Sequence, residues 1–189
     1  GTLIATPRGD VPVEDVKPGD RVITRDHGSQ PVAWAGGRAL DANALAANPK
    51  LRPVRIRAGS LGRGLPERDL LVSPNHRVLM ASDRAELYFD APEVLVAAKH
   101  LTGMDGIDRV EADAVTYIHL MFARHEVVLS NGAWTESFQP GDRSLRGIGA
   151  EQRAEILQLF PELANVTGLD AYAPARRSLK RHEALLLTG

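Results

Sequence analysis

Turn signals recur about every ten residues along the first part of this chain, the rhythm of short strands folded back on one another. Pro7-Arg8-Gly9-Asp10, Pro18-Gly19-Asp20 and His27-Gly28-Ser29 each carry residues that preset φ or tolerate a positive one. Between them lie the strand-type runs Leu3-Ile4-Ala5-Thr6, Arg21-Val22-Ile23-Thr24 and Pro31-Val32-Ala33-Trp34-Ala35, the last closed by Gly36-Gly37. A chain punctuated in this way reads as an all-β domain of short strands.

The rest follows the same texture up to about Ser137. Asp41 to Pro49 reads as a loop with one helical turn, Val54-Arg55-Ile56-Arg57 as a half-buried strand, and Gly59 to Arg68 as a Gly-rich loop. A hairpin is expected around Ser73-Pro74-Asn75, then strands at Glu86-Leu87-Tyr88-Phe89 and Glu93-Val94-Leu95-Val96, then a loop from Lys99 to Asp108. Val115 to Phe122 is the longest β-type run. Asn131-Gly132, between Glu126-Val127-Val128-Leu129 and Ala133-Trp134-Thr135-Glu136, is a strong hairpin signal. Past Pro140-Gly141-Asp142 the period changes. Glu151 to Phe160 reads as a helix stopped by Pro161, and Arg176 to Leu187 as a short basic amphipathic helix with a solvated basic face.

With 189 residues the chain is long enough for one domain with a substantial core. A net charge of −1 supplies no electrostatic argument for nucleic acid or an anionic membrane surface. No apolar run approaches the roughly 18 residues of a membrane span. The absence of cysteine removes disulfides, thiolate metal sites and an in-chain cysteine nucleophile.

One stretch carries chemistry. In Leu70 to Met80, two apolar runs flank Ser73-Pro74-Asn75-His76. Ser, Pro and Asn in this order favour a type I turn, which holds a hydroxyl and an imidazole on either side of one bend. Such a pair can donate to a developing oxyanion and protonate a leaving nitrogen. Taken alone, the same residues also make an ordinary surface hairpin turn.

Three sequence blocks in order resemble the Hint domain, the hedgehog/intein autoprocessing module. Gly1-Thr2-Leu3-Ile4-Ala5-Thr6-Pro7-x-Gly9 with Val13-Glu14-Asp15-Val16-x-Pro18-Gly19-Asp20 is similar to its first block. Ser73-Pro74-Asn75-His76 is similar to its second, usually Thr-x-x-His. Tyr117 to Phe122, His125, Asn131-Gly132 and Trp134 are similar to its last. Further wording, from Ala97-Ala98-Lys99-His100-Leu101 to Phe160-Pro161-Glu162-Leu163, resembles the bacterial Hint type at the end of larger, often exported proteins. The resemblance implies a Hint β-fold over residues 1–137, and a family-specific C-terminal extension over 138–189 packed on the same domain as a small helical appendage.

It also implies self-directed chemistry. An N-terminal Cys or Ser attacks the preceding carbonyl, and a second event breaks the resulting thioester or ester. The substrate is then the upstream segment of the same polypeptide, and the domain is autocatalytic rather than a turnover enzyme. Ser73 takes the oxyanion-binding position, His76 the leaving-group acid, His119 a position at which inteins usually have Asp, and His125 the last-block histidine of the second step. The nucleophile of the family lies a few residues before Gly-Thr, so this chain is expected to start just after it and to be inactive by itself. Thr2, the nearest hydroxyl, reads as a residue ordering the first strand. Glu136-Ser137 replaces the His-Asn of inteins, which removes Asn cyclisation.

No cofactor is implied. A zinc site of His76, His119 and His125 is chemically workable, but the order of blocks favours proton transfer. His27, His100 and His182 read as surface residues, Trp34 and Trp134 as core. Two functions follow: a self-cleaving Hint domain, or a Hint fold kept as a non-catalytic binding or structural module of a secreted bacterial protein.

Overall fold

A computed structural model describes residues 1–138 and 173–188. The helix expected over 151–160 lies outside them. The described chain is mainly antiparallel β-sheet, and its thirteen strands come in sequence order. They are β1 (Leu3–Thr6), β2 (Gly9–Pro12), β3 (Arg21–Thr24), β4 (Gly28–Pro31), β5 (Trp34–Asp41), β6 (Val54–Ile56), β7 (Leu70–Val72), β8 (Arg77–Ala81), β9 (Glu93–Ala97), β10 (Ile107–Arg109), β11 (Ala114–Met121), β12 (Val127–Ser130) and β13 (Ala133–Glu136). Three short α-helices accompany them: α1 (Ala42–Ala47), α2 (Asp83–Phe89) and α3 (Arg181–Thr188).

The largest sheet runs β2-β1-β12-β13-β8-β9, with β3 and β4 branching from β12. It joins the start of the chain to its last strands: Ile4 lies opposite Ser130, and Thr135 opposite Val78. A second sheet orders β10-β6-β7, and β5 and β11 form a long two-stranded ribbon. The apolar residues of the alternating strands meet in three clusters. One gathers Val54, Ile56, Leu70, Val78, Val94 and Val96, a second Leu40, Leu45, Leu51, Tyr117 and Phe138, and a third Ile4, Val22, Val32, Phe122 and Val128.

Several local expectations change. Glu86–Phe89 belongs to α2, not to a strand. Four residues of alternation cannot outweigh a capped turn: the Ala85 N–H donates to Ser82 Oγ at 3.1 Å, and Asp83 and Glu86 sit in the first turn. Ala85 and Phe89, four apart, are buried, while Leu87 and Tyr88 face out. Gly36-Gly37 does not close a strand. Both lie inside β5, with Gly36 opposite His119 and Gly37 opposite Ile118. The expected turn at Gly28-Ser29 is the start of β4, and the loop from Lys99 ends in β10, which pairs with β6. Ser73–Asn75 is a turn but not a hairpin, because β7 and β8 belong to different sheets.

The basic C-terminal segment is not simply a solvated face. The Leu95 N–H donates to the Arg177 carbonyl and the Leu179 N–H to that of Leu95, at 2.8 and 2.9 Å. Leu179 and Ala184 enter the first core cluster. Arg176 makes a two-pronged contact with Asp26 (2.9 and 2.6 Å) and donates from Nε to Glu93 at 2.9 Å.

Candidate functional site

The site begins at the corner between β7 and β8. The His76 N–H donates to the Ser73 carbonyl at 3.1 Å, closing the turn that Pro74 and Asn75 predispose. The corner is then bonded from outside: Ala98 N–H to His76 carbonyl and Lys99 N–H to Pro74 carbonyl, both at 2.9 Å. Ser73 is 3% exposed, and its Oγ has no hydrogen-bond partner among the described residues. A buried hydroxyl left in this state is a donor waiting for an acceptor, since burying one unpaired costs free energy.

A cavity of about 480 Å³ opens beside this corner. Ser73 and His76 contribute from the corner, His119 from β11, Glu136 from β13, and Gly1 and Thr2 from the start of the chain. Asn131 fixes that start. Its Oδ1 accepts the Leu3 N–H at 2.7 Å, its own N–H donates to the Leu3 carbonyl at 2.8 Å, and Nδ2 donates to the Asp69 carbonyl at 3.0 Å. The Asn-Gly pair thus turns β12 into β13, with Asn131 at φ 47°, and also anchors β1 along the cavity. The Gly1 amino group pairs with Glu14 at 2.8 Å.

Charge around Ser73 and His76 is settled by burial and by the Arg77–Glu136 ion pair. His119, 6% exposed, packs its ring against His76 (centroids 6.1 Å) and edge-on to Phe138 (6.2 Å). Burial first, then the neighbouring His76, push His119 down to about 3, against a smaller opposite pull from Glu136. Burial is also the main reason why His76 lies below the ordinary histidine value. Arg77 and His125 add to that effect and Glu136 opposes it. Burial alone would raise the Glu136 carboxyl, but Arg77, His125 and His76 together outweigh it and hold the group at about 2. At neutral pH the inner end of the cavity, between Ser73 and Glu136, therefore presents two uncharged imidazoles and the Glu136 carboxylate, while Glu14 and Asp69 line it elsewhere.

Of the four residues singled out from sequence, Ser73, His76 and His119 meet on the cavity. His125 does not line it. Its side chain is fully buried behind Glu136, with Nε2 at 3.5 Å from Glu136 Oε2, and its Nδ1 accepts the Ala175 N–H at 3.0 Å. Among the described residues, no group of three or more His, Asp or Glu side chains is arranged to hold a metal ion. The sequence reading gave Arg77 no role and noted Glu136 only as part of the replacement for His-Asn, missing their pairing. The Arg77 N–H donates to Glu136 Oε1 at 2.7 Å and its Nη1 to Oε2 at 3.3 Å, both residues being buried. A charged residue opening the apolar run 77–81, and a matching acid at the end of β13, were the signals available.

The remaining expectations divide. His27 and His182 are exposed and His100 is half-buried. His27 also bonds from Nδ1 to the buried Glu126 at 2.9 Å. Trp34 and Trp134 are half-buried rather than core: Trp34 packs on Phe138, and the Arg25 guanidinium lies 5.1 Å above the Trp134 ring.

A mainly β fold that lays its own first strand along a cavity holding a buried hydroxyl and two imidazoles is the arrangement of an autoprocessing-type domain. The sequence matches the Hint domain over residues 1–142, and the chain belongs to that family. No curated protein matches it. Among solved structures, the MchDnaB-1 intein (N145AA) is 16% identical, with a TM-score of 0.43, over 72% of this chain and 96% of that one. The gp41-1 intein is 12% identical, with a TM-score of 0.41, over 71% and 92%. The Msm DnaB1 intein splicing domain bound with zinc is 15% identical, with a TM-score of 0.41, over 71% and 95%.

Proposed function

We propose that this Hint domain cleaves its own polypeptide by an N-terminal acyl shift, ahead of a Ser or Cys placed a few residues before Gly1. The observation that carries the reading is the meeting of Gly1, Ser73 and His76 on one cavity. The nucleophile's hydroxyl or thiol attacks the carbonyl before it. A C–O or C–S bond forms, and the C–N bond to the nucleophile's own backbone nitrogen breaks. His76, held uncharged by its burial, takes the proton from the nucleophile and returns it to the leaving nitrogen, which departs as an amine. Ser73 Oγ–H donates to the oxyanion of the tetrahedral intermediate. His119 stays neutral and orders His76 by ring packing. His125, through Glu136, acts on the later breakdown of the ester. The domain boundary after residue 137 belongs to the same reading.

The test is intact-mass analysis of the chain extended ahead of Gly1 by a segment containing such a Ser or Cys. Time-dependent release of one upstream fragment, accelerated by hydroxylamine or, for Cys, by a thiol, supports the proposal. A chain that stays whole through long incubation overturns it and leaves the non-catalytic module.

A further inference from the structure

Among the described residues, the C-terminal segment touches His125, behind Glu136, through the Ala175 N–H. His125 is sealed from solvent, with the Ala175 N–H on Nδ1 at 3.0 Å and Glu136 Oε2 facing Nε2 at 3.5 Å. A backbone N–H can only donate, so Nδ1 must be the acceptor. The uncharged ring then carries its proton on Nε2, the nitrogen that lies 3.5 Å from Glu136 Oε2. Glu136 in turn lines the cavity and is bonded by Arg77, the residue after His76. The Ala175 N–H is held in place from its C-terminal side. Arg176 clamps to Asp26 and Glu93, Arg25 also bonds Glu93, and Leu95 pairs with the chain at Arg177 and Leu179. Neither Asp26 nor Glu93 lines the cavity, so the clamp serves the segment and not the site itself.

From this geometry we infer that residues 174–177 form a positioning strap, in which the Ala175 N–H fixes the Nε2–H tautomer of His125 and so completes the Glu136–His125 pair. The inference rests on the function proposed above for what the pair does, but not for which tautomer is present. It makes a segment beyond the Hint match at 1–142 a working part of the site. Ala175 is a positioning residue, since it touches no reacting atom. Fixing a histidine's tautomer through its second nitrogen is worth up to about 10⁴-fold where that histidine transfers protons.

The experiment reads the tautomer directly. Two-bond 1H–15N correlation on the full, uniformly labelled chain, at about pH 8, where an ordinary histidine is uncharged, shows which ring nitrogen bears hydrogen. The native chain should show His125 with hydrogen on Nε2 alone. Ala175→Pro removes the donor, and should shift His125 towards a mixture that includes the Nδ1–H form while His76 and His119 keep their patterns. Should Ala175→Pro fail to fold, Arg176→Ala releases the clamp and should give the same shift to a smaller extent. A native His125 protonated on Nδ1, or an unchanged pattern in the variant that folds, overturns the inference. Because no cleavage is needed, the outcomes separate: the expected tautomer in an extended chain that never cleaves refutes the proposed function alone. A cleaving chain whose His125 pattern ignores Ala175→Pro refutes the strap alone. In a cleaving chain, Ala175→Pro should slow ester breakdown at least 10-fold, within the range that tautomer control commands, and leave ester formation intact.

Discussion

Arg77 reaches the Glu136 carboxylate twice, from its backbone N–H at 2.7 Å and from its guanidinium at 3.3 Å, where both residues are almost without exposure. Breaking a buried pair strands a charge, which costs about 3–5 kcal/mol, whereas replacing both partners by apolar groups is often close to neutral. Arg77→Met and Glu136→Leu should each lower the denaturant midpoint by that order, and the double variant should recover most of the loss. Singles within about 0.5 kcal/mol of the parent, the range of ordinary surface changes, would show that the pair is not a structural element.

Stability should fall steeply in acid. His119 stands at about 3 in the fold against an ordinary 6.5, so between those values the unfolded chain binds a proton that the folded one refuses. Glu136, at about 2 against 4.5, acts in the same direction at lower pH. The His119 contribution is complete above 6.5 and lost as pH drops towards 3; that of Glu136 is complete above 4.5 and lost towards 2. Together they amount to a few kcal/mol or more. Melting temperature should therefore rise with pH from 3 to 6.5. His119→Phe should reduce, but not remove, the slope above 4.5, because His76 is shifted the same way. A melting temperature flat from pH 4.5 to 6.5 would contradict the burial of both rings as neutral groups.

The pH dependence of cleavage separates two roles for His76. With a Ser nucleophile, a His76 that begins uncharged makes the acyl shift independent of pH above 6.5 and slower in acid, as the ring gains a proton beneath its ordinary value. Single-turnover rates from pH 4.5 to 8 measure this. A rate that climbs as pH falls through 6 would mean that His76 acts from its charged form.

Ser73→Ala should have opposite effects on stability and on rate. The hydroxyl is buried without a hydrogen-bond partner among the described residues, so its removal should leave the melting temperature unchanged or raise it slightly. Loss of one oxyanion donor should slow the acyl shift about 10²–10³-fold. Destabilisation without a rate effect would make Ser73 a packing residue only.

Much of this was legible in the sequence because it is local. The turn residues placed β1 and β3 to the residue, and Asn131-Gly132 announced the β12–β13 hairpin. The Ser-Pro-Asn-His bend could be read from φ preferences alone. What failed was non-local or a contest between local signals. Glu86–Phe89 alternates like a strand, but the Ser82 cap and the burial of Ala85 and Phe89 make it a helix. Gly36-Gly37 reads as a stop, yet stays in β5 because β11 pairs with it across His119. Arg77 and Glu136 are 59 residues apart in sequence and become a pair only once β8 and β13 share a sheet. His125 was correctly noticed as a histidine of interest, but its place behind Glu136, under Ala175, depends on a segment far along the chain.

The central claim is that the Ser73–His76 corner performs an acyl shift at the start of β1. The most direct measurement follows the mass of the extended Ser- or Cys-bearing chain over time beside its His76→Ala, Ser73→Ala and His125→Ala variants, each first shown to keep the parent's fold. The account predicts one discrete upstream fragment from the parent, a rate lower by about 10²–10⁴-fold for His76→Ala, a smaller loss for Ser73→Ala, and ester formation intact but ester breakdown slowed for His125→Ala. A His76→Ala chain that cleaves at the same bond as fast as the parent would contradict it.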